Sequence, residues 1–263
     1  MANSSTLDEV AAQFDAEQGV VQGNWFGKPC LKAGGKVFVT QWKGDLAFKL
    51  EGKAHAEALA VAGARLFDPQ GKGHPMKAWV QVPAAQLARW PRFAEMAYKW
   101  AVEAAEMRKE QLIADLVDTR SKLLAAATSL PALQQDQVFL GVWSVKDLLA
   151  HLVGWDYANL EAVKAILASR LPAFYAHYDR DWRNFNARLV AEHKRDDPSE
   201  LCEAARASHR QLVEYVRTVP AEAFDEDRGV RFKGYKVTIR RTLQTEAEDE
   251  KVHLDQITSF AAS

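Results

Sequence analysis

Short runs of strand-forming residues, separated by turn residues, dominate the first 90 residues of the chain. The predicted strands are Lys36–Trp42, Leu46–Leu50 and Lys77–Val82, and the connection between the first two has the length of a hairpin turn. Two helices are predicted as well, one from Thr6 to about Glu17 and one over Ala54–Ala62. This mixture predicts an α+β domain, to which we assign residues 1–105.

The 3.6-residue period of amphipathic helices replaces this pattern from Pro91 onward. No Pro or Gly lies between Pro91 and Pro131, so the junction near Ala105 falls inside helical sequence. Four helices are predicted: one carrying Ile113, Leu116, Val117, Leu123 and Leu124 on one face, one that begins at Ser144, one over Ser199–Val219, and one from Thr238 to about Phe260. They indicate an all-α four-helix bundle over residues 106–263.

Composition narrows the class of protein without identifying it. Hydrophobic residues make up 48% of the chain, and the formal net charge is -1, so charge does not indicate nucleic acid or an anionic membrane as a partner. Two lone cysteines, Cys30 and Cys202, are typical of a reducing compartment. We see neither a signal-peptide pattern nor an apolar run long enough for a membrane span, and therefore expect a cytoplasmic protein. A homodimer is possible, as in many bundles, but no feature selects one.

The last predicted helix interrupts its own apolar face. Ile239, Leu243 and Ile257 define the side expected to meet the bundle, but acids and a histidine stand between them on that side. These are Glu246, Asp249, Glu250 and His253. Buried charges need partners or shifted pKa values, so the stripe indicates either a functional pocket or a helix end that splays open into solvent.

Two further features point to a pocket. Asp249 and His253 are four residues apart, which suits binding of one metal ion from a single helix. On the second bundle helix His151 lies beside the apolar arc, and Gly154 follows inside the helix, where glycine implies close packing or room for a ligand. A lone helix histidine is more often structural. The polar, aromatic segment Tyr175–Trp182 either covers a pocket or packs across the bundle, and the second reading is preferred.

The run Trp143–Asp156, with its Ser-Val-Lys-Asp, Ala-His-Leu and Gly-Trp elements, resembles the ClbS/DfsB family of DinB-like four-helix-bundle proteins. The resemblance extends from about Arg108 to Phe260 and includes Arg183–Asn186 and His253–Ile257. It implies protection against reactive, DNA-alkylating natural products through opening of an electrophilic cyclopropane by water. Glu246, Asp249 or Glu250 would then position or deprotonate the water, with His253 as the acid/base partner.

The resemblance also implies a metal site. DinB-like proteins typically hold a metal with one histidine from the second helix and two from the fourth, which correspond here to His151, Asp249 and His253. Asp249 departs from this pattern because it stands where a histidine is usual. A set of two histidines and one carboxylate can still bind a divalent ion such as zinc or nickel, although some relatives work without metal.

The first half resembles the N-terminal domain of the competence regulator TfoX. Phe26–Gly27, Gly34–Phe38, Leu46–Lys49 and Trp79–Pro83 carry this likeness. It implies a fold more than an activity. Two functions therefore remain open. One is a detoxifying or self-resistance hydrolase that acts on a small electrophile, with or without a divalent metal. The other is a non-catalytic module that binds a ligand or partner and uses the first domain as an adaptor.

Overall fold

A computed structural model describes residues 6–14, 19–177 and 181–262. The chain forms two compact units, residues 1–108 and 109–263. The division falls inside one long helix, α3 (Trp90–Ser129). The assignment of residues 1–105 and 106–263 to two named domains stays a prediction.

The first unit is built on a six-stranded antiparallel sheet in the order β1-β2-β3-β4-β6-β5. The strands are β1 (Val21–Trp25), β2 (Lys28–Ala33), β3 (Lys36–Trp42), β4 (Asp45–Lys49), β5 (Arg65–Phe67) and β6 (Met76–Val82). The helices α1 (Thr6–Ala11) and α2 (Gly52–Leu59) and the first part of α3 complete this unit. The three predicted strands and the second predicted helix are present, whereas β1, β2 and β5 were not foreseen. The predicted helix from Thr6 ends earlier than expected, and residues 15–18 of that prediction lie outside the described residues.

One large apolar core holds this unit together. Phe38, Phe48 and Val80 from the sheet pack with Leu7 of α1 and Phe93 of α3, and all five side chains are buried. At roughly 25 cal/mol for each Å² of buried apolar surface, such aromatic and aliphatic side chains each contribute about 2 kcal/mol. A smaller aromatic cluster around Phe67 and Trp79 forms separately.

The second unit is helical, as predicted. Its helices are the rest of α3, α4 (Ala132–Gln135), α5 (Val145–Leu167), α6 (Trp182–His193), α7 (Pro198–Thr218) and α8 (Ile239–Ala261). It also has two small hairpins. One pairs β7 (Val138–Leu140) with β8 (Trp143–Ser144), and the other pairs β9 (Arg231–Phe232) with β10 (Tyr235–Lys236). The expected fold class, an α+β region followed by a four-helix bundle of α3, α5, α7 and α8, is confirmed. Helix α6 and the hairpins were not predicted, because short polar segments carry little periodicity. None of the described helices combines the length and apolar character needed to cross a membrane.

Gly154 permits a close approach between α5 and α6. A Cβ placed on it would lie 2.7 Å from Cβ of Leu189, a separation that real structures essentially never show. Of the two reasons considered for this glycine, close packing and room for a ligand, the structure supports close packing. The contact seats α6 against α5, where Trp182 of α6 meets Trp155 of α5.

Candidate functional site

A cavity of about 940 Å³ lies within the helical unit, in the size range of small-molecule sites. One side is aromatic and is formed by Trp143, Trp155, Phe174, Tyr175, Trp182 and Phe232. The other side is polar and includes His151 and Asn159 from α5 with Glu246, Asp249 and His253 from α8. The polar stripe of the last helix therefore faces a cavity, and the alternative of a helix end that splays open is wrong, since Glu246, Glu250 and His253 are all buried.

His151, Asp249 and His253 converge in this cavity. One potential ligand atom from each lies within 4.8 Å of the other two. His253 Nε2 lies 3.4 Å from Asp249 Oδ2, and the imidazole rings of His151 and His253 are 5.5 Å apart and nearly perpendicular. The spacing of Asp249 had suggested a position on the inward face of α8. The structure places it only partly there, since its side chain is 57% exposed. It stands at the edge of the stripe and lines the cavity while remaining accessible to solvent.

The start of α5 fixes the position of His151. Ser144 caps the helix by accepting a hydrogen bond from the backbone N–H of Asp147, while the Asp147 carboxylate accepts from the backbone N–H of Ser144. The preceding Trp143 places its ring 4.6 Å from the ring of His151. The Ser-Val-Lys-Asp sequence thus sets the helix start, and His151 follows one turn after Asp147.

The three groups differ in protonation. Burial, assisted by the nearby charge of His253, lowers the pKa of His151 to about 3, so this imidazole is neutral at physiological pH. Burial opposes the charged form of His253, but hydrogen bonds to Asp249 and Gln256 and the neighbouring carboxylates raise its pKa above the ordinary value. The hydrogen bond to His253 in turn lowers the pKa of Asp249, although the partial burial of Asp249 acts in the opposite direction. The contact with Asp249 therefore favours the protonated form of His253, beside a neutral His151.

The donor set fits a divalent metal. With His253 Nδ1 donating to Gln256 Oε1 at 2.9 Å, Nε2 is the atom left for a ligand once it has lost its proton. The buried Nδ1 of His151 has no hydrogen-bond partner within the described part of the chain, so this side chain can still accept a bond from a ligand. Two imidazoles and one carboxylate suit zinc or nickel and leave coordination positions for water.

Beneath the cavity, a buried cluster centred on Arg120 joins all four bundle helices. Arg120 of α3 donates to both carboxylate oxygens of Asp156 on α5 and to both of Glu250 on α8. It also donates to the carbonyl oxygen of Ala205 on α7, and Ser208 of α7 donates to Asp156. Burial opposes the charge of Arg120, yet the two carboxylates raise its pKa above the ordinary value, so the guanidinium stays charged.

Glu246 connects this cluster to the cavity. Its Oε2 accepts a hydrogen bond of 2.7 Å from Asn159 Nδ2, and its side chain is buried. Burial and the nearby Glu250 and Asp156 raise the pKa of Glu246 well above its usual value. The single positive charge of Arg120 cannot neutralise the negative charges of three carboxylates. Asp156 and Glu250 accept hydrogen bonds from Arg120, whereas Glu246 does not. Of the three carboxylates, Glu246 is therefore the one that most favours its protonated form, and it lines the cavity.

The residues predicted for catalysis do not all reach the cavity. Glu246 and His253 line it, whereas Glu250 is absent from the lining and has both oxygens engaged by Arg120. Burial raises the pKa of Glu250, and Arg120 opposes that shift. The position of Glu250 suits holding α8 in place better than contact with a substrate.

Arg120, Asp156 and Asn159 were missed by the sequence analysis. Arginine in an amphipathic helix usually indicates an exposed position, and Asp156 was noted only as part of a motif. A signal was present all the same: Arg120 follows Ile113 and Leu116 and precedes Leu123 at spacings that place it on the apolar face of its helix. A charged residue on that face calls for a buried partner.

The aromatic segment that leads into α6 contributes to the cavity wall. Tyr175 and Trp182, the ends of the segment Tyr175–Trp182, both line the cavity, while residues 178–180 lie outside the described residues. The preferred expectation, that this segment merely packs across the bundle, is therefore incomplete. Trp155 lies between the segment and the bundle, and its Nε1 donates to Asn186 Oδ1 of α6 at 3.2 Å.

Comparison with known proteins places the helical unit in a family. A family model described as the DinB superfamily matches residues 115–257. The chain belongs to the DinB superfamily. The matched segment includes His151, Asp249 and His253, whereas the resemblance of the first half to the TfoX N-terminal domain stays a prediction.

Among solved structures, the chain is similar to the colibactin self-resistance protein ClbS, whose crystal structure is a complex with double-stranded DNA. The two are 17% identical, the match covers 59% of this chain and 96% of that chain, and the TM-score is 0.48. No curated protein matches the chain.

Proposed function

We propose that this DinB-superfamily protein is a ClbS/DfsB-like hydrolase that adds water to an electrophilic small molecule, in detoxification or self-resistance. The observation that carries the proposal is the convergence of His151, Asp249 and His253 in an aromatic-walled cavity. Kinship to ClbS and DfsB within the superfamily rests on the motif Trp143–Asp156.

The metal, zinc or nickel, is part of this proposal. His151, Asp249 and His253 would hold it. When bound, a divalent metal would supply a Lewis acid that favours ionisation of water. Elemental analysis of native protein tests this part directly: Asp249→Ala should remove the metal, and Asp255→Ala, an exposed acid on the same helix that does not line this cavity, should retain it.

The proposed chemistry uses a base and an acid on the same helix. In the protein without metal, His253 in its neutral form accepts a proton from water as the water oxygen bonds to the electrophilic carbon, and Asp249 stabilises the resulting imidazolium. If a metal is bound, Nε2 of His253 would be a ligand instead, and the metal would favour ionisation of the water. The bond between that carbon and the leaving atom breaks, and the electron pair stays with the leaving atom. Glu246, kept neutral by burial and oriented by Asn159, gives its proton to that atom.

Ring opening of a cyclopropane activated by a neighbouring carbonyl tests the activity. We expect His253→Ala and Glu246→Gln each to lower kcat by about 100-fold, the usual size of an acid or base contribution. Asp255→Asn is the matched control and should keep the full rate. Wild-type turnover that His253→Ala retains would refute the assigned base.

A second function, ligand binding without turnover, is favoured by the low basicity of His151 and by the extent of the aromatic wall. In that case the bundle would sequester a small molecule, and the first unit would serve as an adaptor. Stoichiometric recovery of an unchanged ligand, with or without zinc, would support this function over the hydrolase.

A further inference from the structure

The cavity is long, and its two ends differ in chemistry. Its lining on α8 runs from Arg241 to His253, a separation of twelve residue steps that spans about 18 Å at 1.5 Å per residue. His253 lies with His151 at one end. At the other end the β9–β10 hairpin meets the first turn of α8, where the Arg241 guanidinium lies 5.7 Å from the centre of the Tyr235 ring.

The hairpin end is cationic. Residues 225–241 contain six Lys or Arg and three Asp or Glu, a surplus of three positive charges in a chain whose net charge is -1. Three of these cations line the cavity: Lys233, Lys236 and Arg241. Asp227 bonds to Lys236 at 2.7 Å but also to Arg231 at 2.6 Å, so one carboxylate faces two cations. The exposed acids of the lining, Glu248 and Asp249, lie two turns along α8 from Arg241.

Aromatic side chains connect the two ends. Trp155 packs on Trp182 with ring centres 5.1 Å apart, beside the histidine end. Tyr175 packs on Phe232 of the hairpin with ring centres 4.6 Å apart. A planar molecule that lies along this wall contacts aromatic faces over its middle and reaches the cations at one end.

We infer that the cavity selects elongated aromatic anions, and that Lys233, Lys236 and Arg241 bind the carboxylate, sulfonate or phosphate group of such a molecule. The role of the histidine end in this inference rests on the proposed function. The inference adds to that function the class of substrate that the cavity accepts. An anion anchored at the hairpin holds the other end of the molecule near His151 and His253. The hairpin is thus a specificity element.

The binding of two matched dyes tests the inference. 8-Anilinonaphthalene-1-sulfonate is an aromatic anion, and N-phenyl-1-naphthylamine is the same aromatic framework without the sulfonate. Both fluoresce more strongly in apolar sites, so each Kd is measured by titration of the full chain. We expect the sulfonate to bind more tightly, and the difference to shrink as salt concentration rises.

Charge-neutralising variants locate the effect. Lys233→Gln and Arg241→Gln should each weaken sulfonate binding about threefold, the usual range for an exposed ion pair, and leave binding of the neutral dye unchanged. Lys251→Gln is the matched control, because Lys251 is an exposed cation of α8 outside the cavity. Trp182→Leu should weaken both dyes, which confirms that they occupy the aromatic wall.

Two outcomes would overturn the inference. In one, the double variant Lys233→Gln/Arg241→Gln binds the sulfonate as tightly as Lys251→Gln does. In the other, a 20-base-pair DNA duplex binds more tightly than the dye and loses affinity in the same double variant, which would assign the cations to nucleic acid. Neither dye undergoes hydrolysis, so the result stands apart from the test of the proposed activity.

Discussion

Arg120 and Glu250, 130 residues apart in sequence, form a buried ion pair between α3 and α8, with Arg120 Nη2 2.5 Å from Glu250 Oε1. The same guanidinium binds Asp156 of α5, which accepts a hydrogen bond from Ser208 of α7. Glu246 and His253 lie on either side of Glu250 on α8, at spacings of four and three residues. The ion pair therefore fixes the rotation of α8 that turns these two side chains toward the cavity.

Replacement of Arg120 by Met should strongly destabilise the helical unit. The change leaves Asp156 and Glu250 buried without their cation, and breaking a buried pair in this way costs about 3–5 kcal/mol. Urea unfolding followed by circular dichroism measures the loss. Arg206→Met is the control, because Arg206 forms an exposed pair with Glu203 and should contribute less than about 1 kcal/mol. Equal stability of the two variants would contradict the role of the cluster.

Replacement of Gly154 by Ala tests the contact between α5 and α6. Helix propensity alone favours Ala by about 1 kcal/mol. The added Cβ would meet the Leu189 side chain at 2.7 Å, however, so we expect a net loss of about 1–3 kcal/mol as α6 is displaced. Thermal unfolding gives the sign. An increase in Tm would show that α6 moves freely and that this part of the cavity wall is not fixed by packing.

The parts of the fold that could be predicted from the sequence are the helices and strands whose residues form a clear local pattern. Long helices such as α5 and α8 repeat their apolar positions over several turns, and β3, β4 and β6 are rich in strand-forming residues and bounded by turn residues, so all five were found. The twelve residues of α6 are mostly polar or half exposed, and β9 and β10 have two residues each. Such elements form through contacts with distant parts of the chain, which no local pattern describes.

The site was predictable in its location but not in its electrostatics. The stripe on α8 and the family resemblance together singled out His151, Asp249 and His253, which the fold brings together. The pKa of Glu246 depends first on its burial and then on its distances from groups on other helices, among them Asp156, which raises it, and Arg120, which lowers it. Those distances follow only from the packed bundle, so the sequence could not distinguish a neutral Glu246 from a charged one.

Zinc binding should depend on pH with a definite sign. Hydrogen bonds to Asp249 and Gln256, together with neighbouring carboxylates, raise the pKa of His253 against its burial, so a proton competes with the metal for Nε2 over a wider range of pH than at an ordinary histidine. Zinc affinity should therefore fall as pH decreases through the neutral range. Titration calorimetry at several pH values measures this slope and the proton release. Gln256→Ala removes a hydrogen bond that raises the pKa of His253 and leaves the three metal-binding side chains in place, so an unchanged slope of zinc affinity against pH in this variant would show that the coupling is absent.

Acid should destabilise the helical unit through His209 of α7. Burial, with the charge of Arg120 as a further cause, lowers the pKa of His209 from 6.5 to about 3, and its buried Nε2 has no hydrogen-bond partner among the described residues. Below pH 6.5 the unfolded chain binds a proton at this position, but the folded chain does so only near pH 3. The contribution of His209 to the free energy of unfolding is therefore fully present above pH 6.5 and decreases as pH falls toward 3, by about 1 kcal/mol between pH 7.5 and 5.5.

Urea unfolding at these two pH values tests the role of His209. The difference in the free energy of unfolding between the two pH values should be smaller for His209→Leu than for wild type, whereas replacement of the exposed His74 by Gln should leave the difference unchanged. A pH difference that is the same in His209→Leu and wild type would mean that other groups cause the acid sensitivity.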